Sequence, residues 1–380
     1  MGDYINHGKS LEATGASMVI LLSLSEKIEF IDIFCPEQNQ KFEKLELPQR
    51  VKLHEYYRYD DSISILRLLK IHWDYYDIVI FNMLPTGYGN QTIPNALALI
   101  VPIILRIILK QSNIKVIYQN SIFTNDIRSL GYNSAFDKIR AFFLRIIERT
   151  LFKNVDTYMF LDLYKQRIDN CIGKNKVNVL NGRYLEAIPT LYLNKVLNAE
   201  FIDTTETCIP TILLHGFWGP QKNIELGLTV LRKLRKEGKK FIVIISGGIN
   251  YHFPQYRMKF QELLCSNSDI IDKYLGPASQ NDIMKVFLNA DLLLLPYNAP
   301  GGHSAVLEQA IFFEIPTIAI DFPEFREQTK GVDFVKLIKS EDDLLLTIDG
   351  ILHNKTIRKN RVSVMEKIQQ AVNNLEKLID

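Results

Sequence analysis

The sequence predicts an α/β protein with two Rossmann-like, doubly wound parallel-sheet domains that face a central cleft. Apolar runs typical of β-strands alternate with helical stretches over almost the whole chain, which favours parallel strands joined by crossover helices. A polar stretch at 192–210 interrupts this alternation, and a second series begins at Thr211. The chain of 380 residues is also too long for one compact core.

The expected strands are short runs rich in apolar and β-branched residues. They are 28–34, 51–56, 78–83, 116–118, 157–160 and 177–180 in the first half, and 211–216, 241–246, 273–275, 291–296, 317–320 and 334–337 in the second. We expect an N-terminal domain over 1–190, a linker over 191–210 and a C-terminal domain over 211–365. A final helix at 366–380 is expected to pack back on the first domain.

The beginning of the chain departs from the usual order of such domains. A helix is expected at 18–25, directly after Gly15, and it precedes the strand at 28–34. A strand that came before this helix would have to lie within 1–5, and strands usually need about five residues.

Composition and net charge limit the classes of protein to which the chain can belong. The net charge is +2, from 45 basic and 43 acidic residues, so no overall charge favours a nucleic-acid partner. The four cysteines lie far apart without a CxxC pair, so we expect free thiols, a reducing compartment and no metal site. No basic segment followed by an apolar run begins the chain, which favours a cytoplasmic protein.

Two segments in the first half of the chain have the apolar or basic character that membrane contact requires. The run 95–110 is strongly apolar, but it is shorter than the roughly 20 residues of a span and contains Pro102 and Arg106. We expect a buried or interfacial helix there. The run 136–153 has the pattern of a basic amphipathic helix. It fits either docking at the inner face of the cell membrane or an ordinary core-facing helix with a solvated basic side.

The strongest chemical signal follows the leucine-rich strand at 291–296. A loop with adjacent glycines leads into a helix start, and the residues involved are Tyr297, Gly301, Gly302, His303, Ser304 and Ala305. Such a loop lets backbone N–H groups approach an anion, and the helix start adds partial positive charge. Ser304 is the expected N-cap. Glu308, one turn into the helix, can accept hydrogen bonds from a ribose diol. A simple turn before a helix is the alternative.

A second loop of the same kind follows the strand at 211–216. It contains Gly216, and Lys222 and Asn223 stand at the next helix start, where a cation is unfavourable unless an anion such as a diphosphate compensates it. An exposed lysine beside a cap is the alternative. Gly247 follows the neighbouring strand at 241–246. Because ligands of open parallel sheets bind at the carboxyl ends of strands, these loops predict one shared anion site.

With these two loops, the sequence resembles the retaining GT-B glycosyltransferases of family 4, the glycosyl transferases group 1 type. The resemblance covers 211–327, and its motifs are the glycine loop ending in Lys222-Asn223 and the strand, loop and helix that lead to Glu308. It implies that Lys222 holds the donor diphosphate and that Glu308 binds the ribose. It also places Gly15 at a glycine turn that faces the diphosphate from the first domain.

The sequence departs from that family at three positions. The Glu that contacts the transferred sugar falls at Pro300, and the Arg that partners the Lys falls near Phe217 and Trp218. The active-site His of the first domain falls near Gln119 or Asn120. We expect Gly301, Gly302 and His303 to contact the sugar instead. The acceptor is expected beside Asn82, Asn120 and Asp126.

The resemblance implies an enzyme that transfers a sugar from a UDP- or GDP-sugar to the hydroxyl of a glycan or lipid-linked acceptor, with retention. Lys222, Glu308 and His303 are the residues expected to act in this transfer, without a metal or a bound cofactor. A nucleotide-sugar-binding protein without turnover is one alternative, and it would account for all three departures. An epimerase or hydrolase of the same fold is another, which would need carboxylates beside the sugar.

Overall fold

The computed structural model describes residues 10–37, 48–58, 61–83, 92–111, 113–123, 135–185, 209–250, 253–277, 285–299, 302–354 and 364–379. The chain divides into two compact units. The first, called the N-unit here, comprises Gly8–Arg128, Tyr132–Glu186 and Ile368–Asp380, and the second, the C-unit, comprises Met1–His7, Ser129–Gly131 and Ala187–Lys367. The predicted architecture of two α/β domains with parallel sheets is confirmed. The predicted linker lies mostly outside the described residues, and its bounds stay a prediction.

The N-unit contains two groups of parallel strands. Strands β1 (Ile31–Pro36) and β2 (Val51–Tyr57) pair with each other. A four-stranded sheet follows in chain order, with β3 (Val79–Met83), β4 (Ile114–Tyr118), β5 (Asp156–Met159) and β6 (Val177–Val179). Strand β4 is buried over most of its length, whereas β3 and β5 alternate between buried and half-buried residues and β6 is buried at Val177.

The helices of the N-unit cover this sheet and form its core with it. They are α1 (Ser10–Ser23), α2 (Ser62–Ile65), α3 (Thr92–Ile107), α4 (Ala135–Asn154) and α5 (Asp162–Ile172), with short 3-10 helices at Leu66–Lys70 and Trp73–Tyr75. Leu99 of α3, Val116 of β4 and Phe152 of α4 are fully buried in one cluster. Cys35 and Cys171 here, and Cys265 in the C-unit, are free thiols, as expected.

Helix α1 begins at Ser10, eight residues before the predicted start at 18, so Gly15 lies inside the helix. The expectation of a glycine turn or helix start at Gly15 is therefore wrong. A Cβ atom at Gly15 would lie 2.9 Å from Nδ2 of Asn82 in β3. Glycine at this position allows the helix to lie close to the strand, although glycine lowers the helix propensity of the segment. The strand considered at 1–5 lies outside the described residues.

Helix α3 begins three residues earlier than predicted and ends at Ile107, after which Lys110 takes a left-handed conformation with φ of 57°. Leu99, Val101 and Leu105 are fully buried, which confirms a buried helix. Pro102 lies inside the helix. Within the described ranges, no helix is long and apolar enough to cross a membrane.

The C-unit is built on one six-stranded parallel sheet. Its strands are β7 (Thr211–His215), β8 (Ile242–Ser246), β9 (Lys273–Tyr274), β10 (Leu292–Leu295), β11 (Thr317–Ile320) and β12 (Val335–Ile338). Their order across the sheet is β12–β11–β10–β7–β8–β9. This is the doubly wound order of a dinucleotide-binding domain, and it changes direction between β7 and β10. The crevice outside the carboxyl ends of these two strands is where such sheets bind ligands.

The helices of the C-unit are α6 (Ile224–Lys236), α7 (Tyr256–Ser266), α8 (Ala305–Phe313), α9 (Pro323–Gln328) and α10 (Glu341–Asn354). Helix α6 has the strongest separation of its two faces: Leu228, Leu231 and Leu234 are buried, and the charged side chains lie on the other side. A final helix, α11 (Val364–Glu376), continues into Ile368–Asp380 of the N-unit. There Glu376 accepts a hydrogen bond of 2.6 Å from the Ser25 hydroxyl.

Candidate functional site

The loop after β7 meets the helix that follows β10 at Gly216. This residue has a φ of 149°, within the region that favours glycine. A Cβ atom there would lie 3.9 Å from Cε of Lys222 and 4.0 Å from Cγ2 of Val306, in the first turn of α8. The loop after β7 and the start of α8 are therefore next to each other, at the point where the strand order changes direction.

Lys222 is the one basic residue in the loop between β7 and α6. It ends the 3-10 turn Pro220–Lys222, and Asn223, in a left-handed conformation, connects it to α6. The Lys222 ammonium lies 3.7 Å from the ring centroid of Tyr297, in a cation–π contact. No carboxylate among the described residues forms an ion pair with it. Desolvation lowers the pKa of Lys222 to about 7. A desolvated cation without a carboxylate partner favours an anionic ligand.

The start of α8 has the geometry that the sequence predicted. Ser304 is the N-cap, with extended backbone angles, and its hydroxyl accepts a hydrogen bond of 3.3 Å from the Leu307 amide. Such a cap stabilises a helix by about 1 kcal/mol. Gly302 has a φ of 115°, which a residue with a side chain rarely adopts. Pro300 and Gly301 lie outside the described residues, and Ala305 is the first residue of the helix.

Glu308 lies one turn into α8 and is 1 % exposed. Its Oε1 accepts a hydrogen bond of 3.1 Å from Nε2 of Gln328, and Nε2 of His303 lies 3.4 Å from the same oxygen. Both neighbours are largely buried. The structure thus brings the predicted pair His303 and Glu308 into contact, and protein groups alone hold the Glu308 carboxylate in place.

Gln328 was missed by the sequence reasoning, which ended one residue earlier at Glu327. It is the last residue of α9, and its amide forms two further bonds with the N-cap of α8. Nε2 donates to the Ser304 carbonyl at 2.9 Å, and Oε1 accepts from the Ser304 amide at 3.0 Å. No local motif marks this residue. The one available signal is topological, because α9 follows β11, the neighbour of β10 in the sheet.

Gly247 follows β8, as predicted, and its conformation leaves no room for a side chain. Its φ is 110°, and a Cβ atom would lie 1.9 Å from the Gly216 carbonyl oxygen. The Gly216 amide donates to the Ser246 carbonyl at 3.2 Å, so the two strand ends continue side by side into their loops. Glycine at this position is required by the close approach of two backbones. Its assignment to the nucleotide stays a prediction.

Buried polar atoms collect at this edge of the sheet. Within the described part of the chain, four side-chain atoms from the ends of β7 and β8 and the loop after β7 have no hydrogen-bond partner: His215 Nδ1, Trp218 Nε1, Gln221 Oε1 and Ser246 Oγ. Desolvation, together with the charge of Lys222, lowers the pKa of His215 to about 4, so its imidazole is neutral at pH 7. Buried polar groups normally have partners, and this grouping indicates a place for ligand or water.

Trp218 stands near the position of the family's Arg, but it serves the core. It is 1 % exposed and stacks on Phe260 with 5.7 Å between ring centroids. Its amide donates to the Gly248 carbonyl at 2.7 Å. Phe217, which is 39 % exposed, is apolar as well. Neither residue supplies the positive charge of an Arg, so Lys222 carries that charge alone in this loop.

Two of the predicted acceptor residues, Asn82 and Asn120, are among the described residues, and both lie at the carboxyl edge of the N-unit sheet. Asn82 is in β3, and its Oδ1 accepts a hydrogen bond of 3.1 Å from Nε2 of Gln119, which follows β4. The Gln119 amide donates to the Met83 carbonyl at 3.1 Å, so both strand ends are tied together. Asn120 is the next residue. Asp126 lies outside the described residues.

A buried carboxylate that the sequence reasoning missed fixes the same edge. Glu148 of α4 is fully buried and accepts hydrogen bonds from the Tyr118 hydroxyl at 2.7 Å and the Ser121 hydroxyl at 2.9 Å. The Ile122 amide donates to it at 3.0 Å. Burial raises the pKa of Glu148 to about 7 despite these donors. Glu148 therefore anchors the segment directly after Asn120.

Two parallel-sheet α/β units, the second with a cation and a glycine-rich helix start at its switch point, define the GT-B class of fold. Solved structures of other proteins are similar to this one over nearly the whole chain. Anabaena HepE in complex with UDP and glucose has a TM-score of 0.63 at 14% identity, with 98% of this chain and 97% of that chain covered. WaaG, a glycosyltransferase involved in lipopolysaccharide biosynthesis, has a TM-score of 0.56 at 14% identity, with 96% and 91% covered.

A third neighbour is sucrose-phosphate synthase from Thermosynechococcus elongatus, with a TM-score of 0.61 at 13% identity and coverage of 95% and 88%. At these identities the likeness establishes the fold. In sequence, residues 209–370 match the family model of glycosyl transferases group 1, so the C-unit is similar to that family. No curated protein matches the chain in sequence. The family match and the fold together support a transferase that acts in glycosyl transfer.

Proposed function

We propose that this protein transfers a sugar, with retention, from a nucleoside diphosphate sugar to an acceptor hydroxyl. The observation that carries the proposal is Lys222, a desolvated cation without an ion-pair partner among the described residues, beside the first turn of α8. A diphosphate at this point would receive the ammonium and the amides of a helix N-terminus together. The complex of HepE with UDP and glucose shows that a protein of this fold binds such molecules.

In this proposal the chain stabilises the leaving diphosphate by electrostatics rather than by forming a covalent bond to it. Negative charge that develops on the diphosphate as the sugar departs would meet Lys222 and the partial positive charge of α8. Glu308 would accept hydrogen bonds from the ribose hydroxyls. His303, in contact with Glu308, would lie next to the sugar, where the family's first Glu is replaced by Pro300. No metal enters these roles, and we expect transfer to continue in the presence of EDTA.

The experiment is transfer of radiolabelled sugar from UDP- and GDP-sugars to extracted lipid or glycan acceptors. Wild-type protein should incorporate label from one donor class, and Glu308→Ala should reduce incorporation because donor binding weakens. Glu262→Ala, a change at an exposed carboxylate of α7, is the matched control. Nucleotide binding without transfer or donor hydrolysis would instead support a binding protein. Epimerised or hydrolysed donor without transfer would support an epimerase or hydrolase of the same fold.

We also propose that the acceptor is reached from an anionic membrane at the cytoplasmic face. Helix α4 exposes five large apolar side chains, each about half or more exposed: Phe136, Ile139, Phe142, Phe143 and Ile146. Exposed Lys138, Arg145, Arg149 and Lys153 lie on the same helix. The end of α3, which packs against α4, adds exposed Ile107, Ile108 and Leu109. Apolar side chains flanked by basic ones suit an interface of anionic lipid.

Sedimentation with vesicles tests this surface. Wild-type protein should bind vesicles that contain anionic lipid and bind neutral vesicles more weakly. Phe142→Ser with Phe143→Ser should abolish binding, and charge reversal of Arg140 and Arg145 should weaken it in a salt-dependent way. Leu346→Ser, at a C-unit side chain that is 68 % exposed, is the control and should change nothing. Equal binding by all variants would contradict the proposal.

A further inference from the structure

The amide of Gln328 connects three groups at the start of α8. It pairs with both backbone polar groups of Ser304, at 3.0 and 2.9 Å, and it donates to Oε1 of Glu308 at 3.1 Å. Gln328, Ser304 and Glu308 are all buried. One side chain therefore fixes the N-cap that follows the glycine loop and the carboxylate one turn further on.

The orientation of this amide follows from its partners. The Ser304 amide can only donate, so it faces the oxygen of Gln328, and the two acceptors face its nitrogen. A carboxylate at 328 would keep one oxygen as the acceptor for the Ser304 amide and place its other oxygen against the Ser304 carbonyl and the Glu308 carboxylate. A methionine would fill similar volume and form none of the three bonds. The contacts thus define two variants with different expected effects.

We infer that Gln328 is a positioning residue that sets Glu308 for the ribose diol and so contributes to selection of ribonucleotides. This inference rests on the proposed function, because it needs a nucleoside diphosphate in the crevice. A carboxylate has several acceptor positions, so it can accept from a fixed amide and from ligand hydroxyls. When its orientation is fixed beforehand, a diol gains two well-aligned, charge-assisted bonds without the cost of ordering the side chain.

The test compares a nucleoside diphosphate with its 2′,3′-dideoxy analogue, using whichever of UDP and GDP binds the wild type more tightly. Wild-type protein should prefer the ribonucleotide by roughly tenfold or more, the value of hydrogen bonds to a charged group. Gln328→Met should bring this preference close to one. Loss of its two bonds to Ser304 acts at the diphosphate end and should lower both affinities by the same factor. Gln328→Glu should lower both affinities, because its carboxylate faces two acceptors.

A purely structural role would lower both affinities together, so the ratio separates the two explanations. A double-mutant cycle with Glu308→Gln adds a second readout: if Gln328 acts through Glu308, the two effects on the ratio should not add. Gln369→Met, at an exposed glutamine of α11, is the matched control. Thermal melting checks that the variants are folded. If Gln328→Met does not fold, Gln328→Asn takes its place, because its side-chain amide is too short to reach the partners of Gln328.

A wild-type ratio retained in folded Gln328→Met, or additive effects in the cycle, would overturn the inference and leave the proposed function standing. A wild type that binds the nucleotide but does not distinguish the dideoxy analogue would overturn it as well. Absence of binding of UDP and GDP to the wild type is a different result, since it contradicts the proposed function itself.

Discussion

At the carboxyl edge of the N-unit sheet, the buried Glu148 carboxylate is surrounded by donors from Tyr118, Ser121 and Ile122. At the same edge of the C-unit sheet, the Lys222 ammonium rests on an aromatic ring and has no carboxylate partner within the described residues. The polar groups of the first edge are thus satisfied inside the protein. Those of the second include buried atoms for which the described part of the chain supplies no partner.

This difference shows how one kind of sheet can serve two purposes. A buried carboxyl group whose hydrogen bonds come from inside the protein, as at Glu148, fixes a loop and has little to gain from a ligand. A desolvated ammonium without a carboxylate partner among the described residues, as at Lys222, raises the free energy of the folded protein until an anion binds. The comparison identifies the C-unit edge as the place where ligand binding has the most to contribute, and four changes test it.

The largest effect is expected at Gly247. Gly247→Ala would place a methyl group 1.9 Å from the Gly216 carbonyl oxygen on a backbone with φ of 110°, so the ends of β7 and β8 must separate. We expect a loss of at least about 3 kcal/mol in the free energy of unfolding, together with loss of nucleotide binding. Gly238→Ala is the control, because its φ is 83° but no atom lies within 4 Å of the added methyl. Denaturant unfolding should show a smaller loss of about 1 kcal/mol there.

The second effect concerns the N-unit edge and its pH dependence. The pKa of Glu148 is raised to about 7 from its ordinary value of 4.5 by burial, so the folded state binds this proton more tightly than the unfolded state. Its contribution to stability is therefore complete below pH 4.5 and is lost as the pH rises through 7. Glu148→Gln should remove a pH-dependent difference on the order of 2 kcal/mol between pH 4.5 and 8. Parallel unfolding curves for both proteins across this range would show that Glu148 is ionised throughout.

The third effect is on nucleotide affinity. Desolvation lowers the pKa of Lys222 to about 7, and a bound diphosphate should raise it, because the anion stabilises the charged form. Affinity should therefore fall by up to roughly 15-fold between pH 7 and 8.5, with uptake of a proton on binding. Lys222→Arg should keep binding and lose the pH dependence, since Arg stays charged. Calorimetry in two buffers that differ in ionisation enthalpy measures the uptake directly, and an affinity that is constant with pH would disprove a titrating Lys222.

The smallest effect is on the cap of α8. Ser304→Ala removes the hydrogen bond to the Leu307 amide and should cost about 1 kcal/mol of stability. Ser304→Asp should restore most of this loss, because a carboxylate also caps a helix. Its negative charge at the anion site should nevertheless weaken nucleotide binding. Thermal melting and calorimetry together separate these results, and equal nucleotide affinity in both variants would argue against an anion at this end of α8.

The strands and the position of the site could be predicted from the sequence for one physical reason. Strands of a parallel sheet buried on both faces are continuous apolar runs, and they are visible without any knowledge of their neighbours. The loops at Gly216 and at 297–304 follow two such runs, so the order of strands was enough to bring them together. The Ser304 cap was predictable as well, because a cap depends only on adjacent residues.

Contacts between distant segments could not be predicted in this way. Gln328 reaches Glu308 from another helix, and Glu148 reaches the loop after β4 from the middle of an amphipathic helix. Gly15 was interpreted as a turn because glycine usually marks one, whereas here it allows a helix to approach Asn82. In each case the partner lies more than 15 residues away along the chain. Short-range sequence patterns do not identify partners that are so distant along the chain.

The central claim is that Lys222 forms the anion site for a nucleoside diphosphate. It is tested most directly by calorimetric titration of UDP and GDP into wild-type protein, Lys222→Met and Lys236→Met, the last at an exposed lysine of α6. The account predicts that one nucleotide binds the wild type and the Lys236 variant equally and binds Lys222→Met at least roughly tenfold more weakly. Equal binding to all three proteins, or binding of neither nucleotide to the wild type, would contradict it.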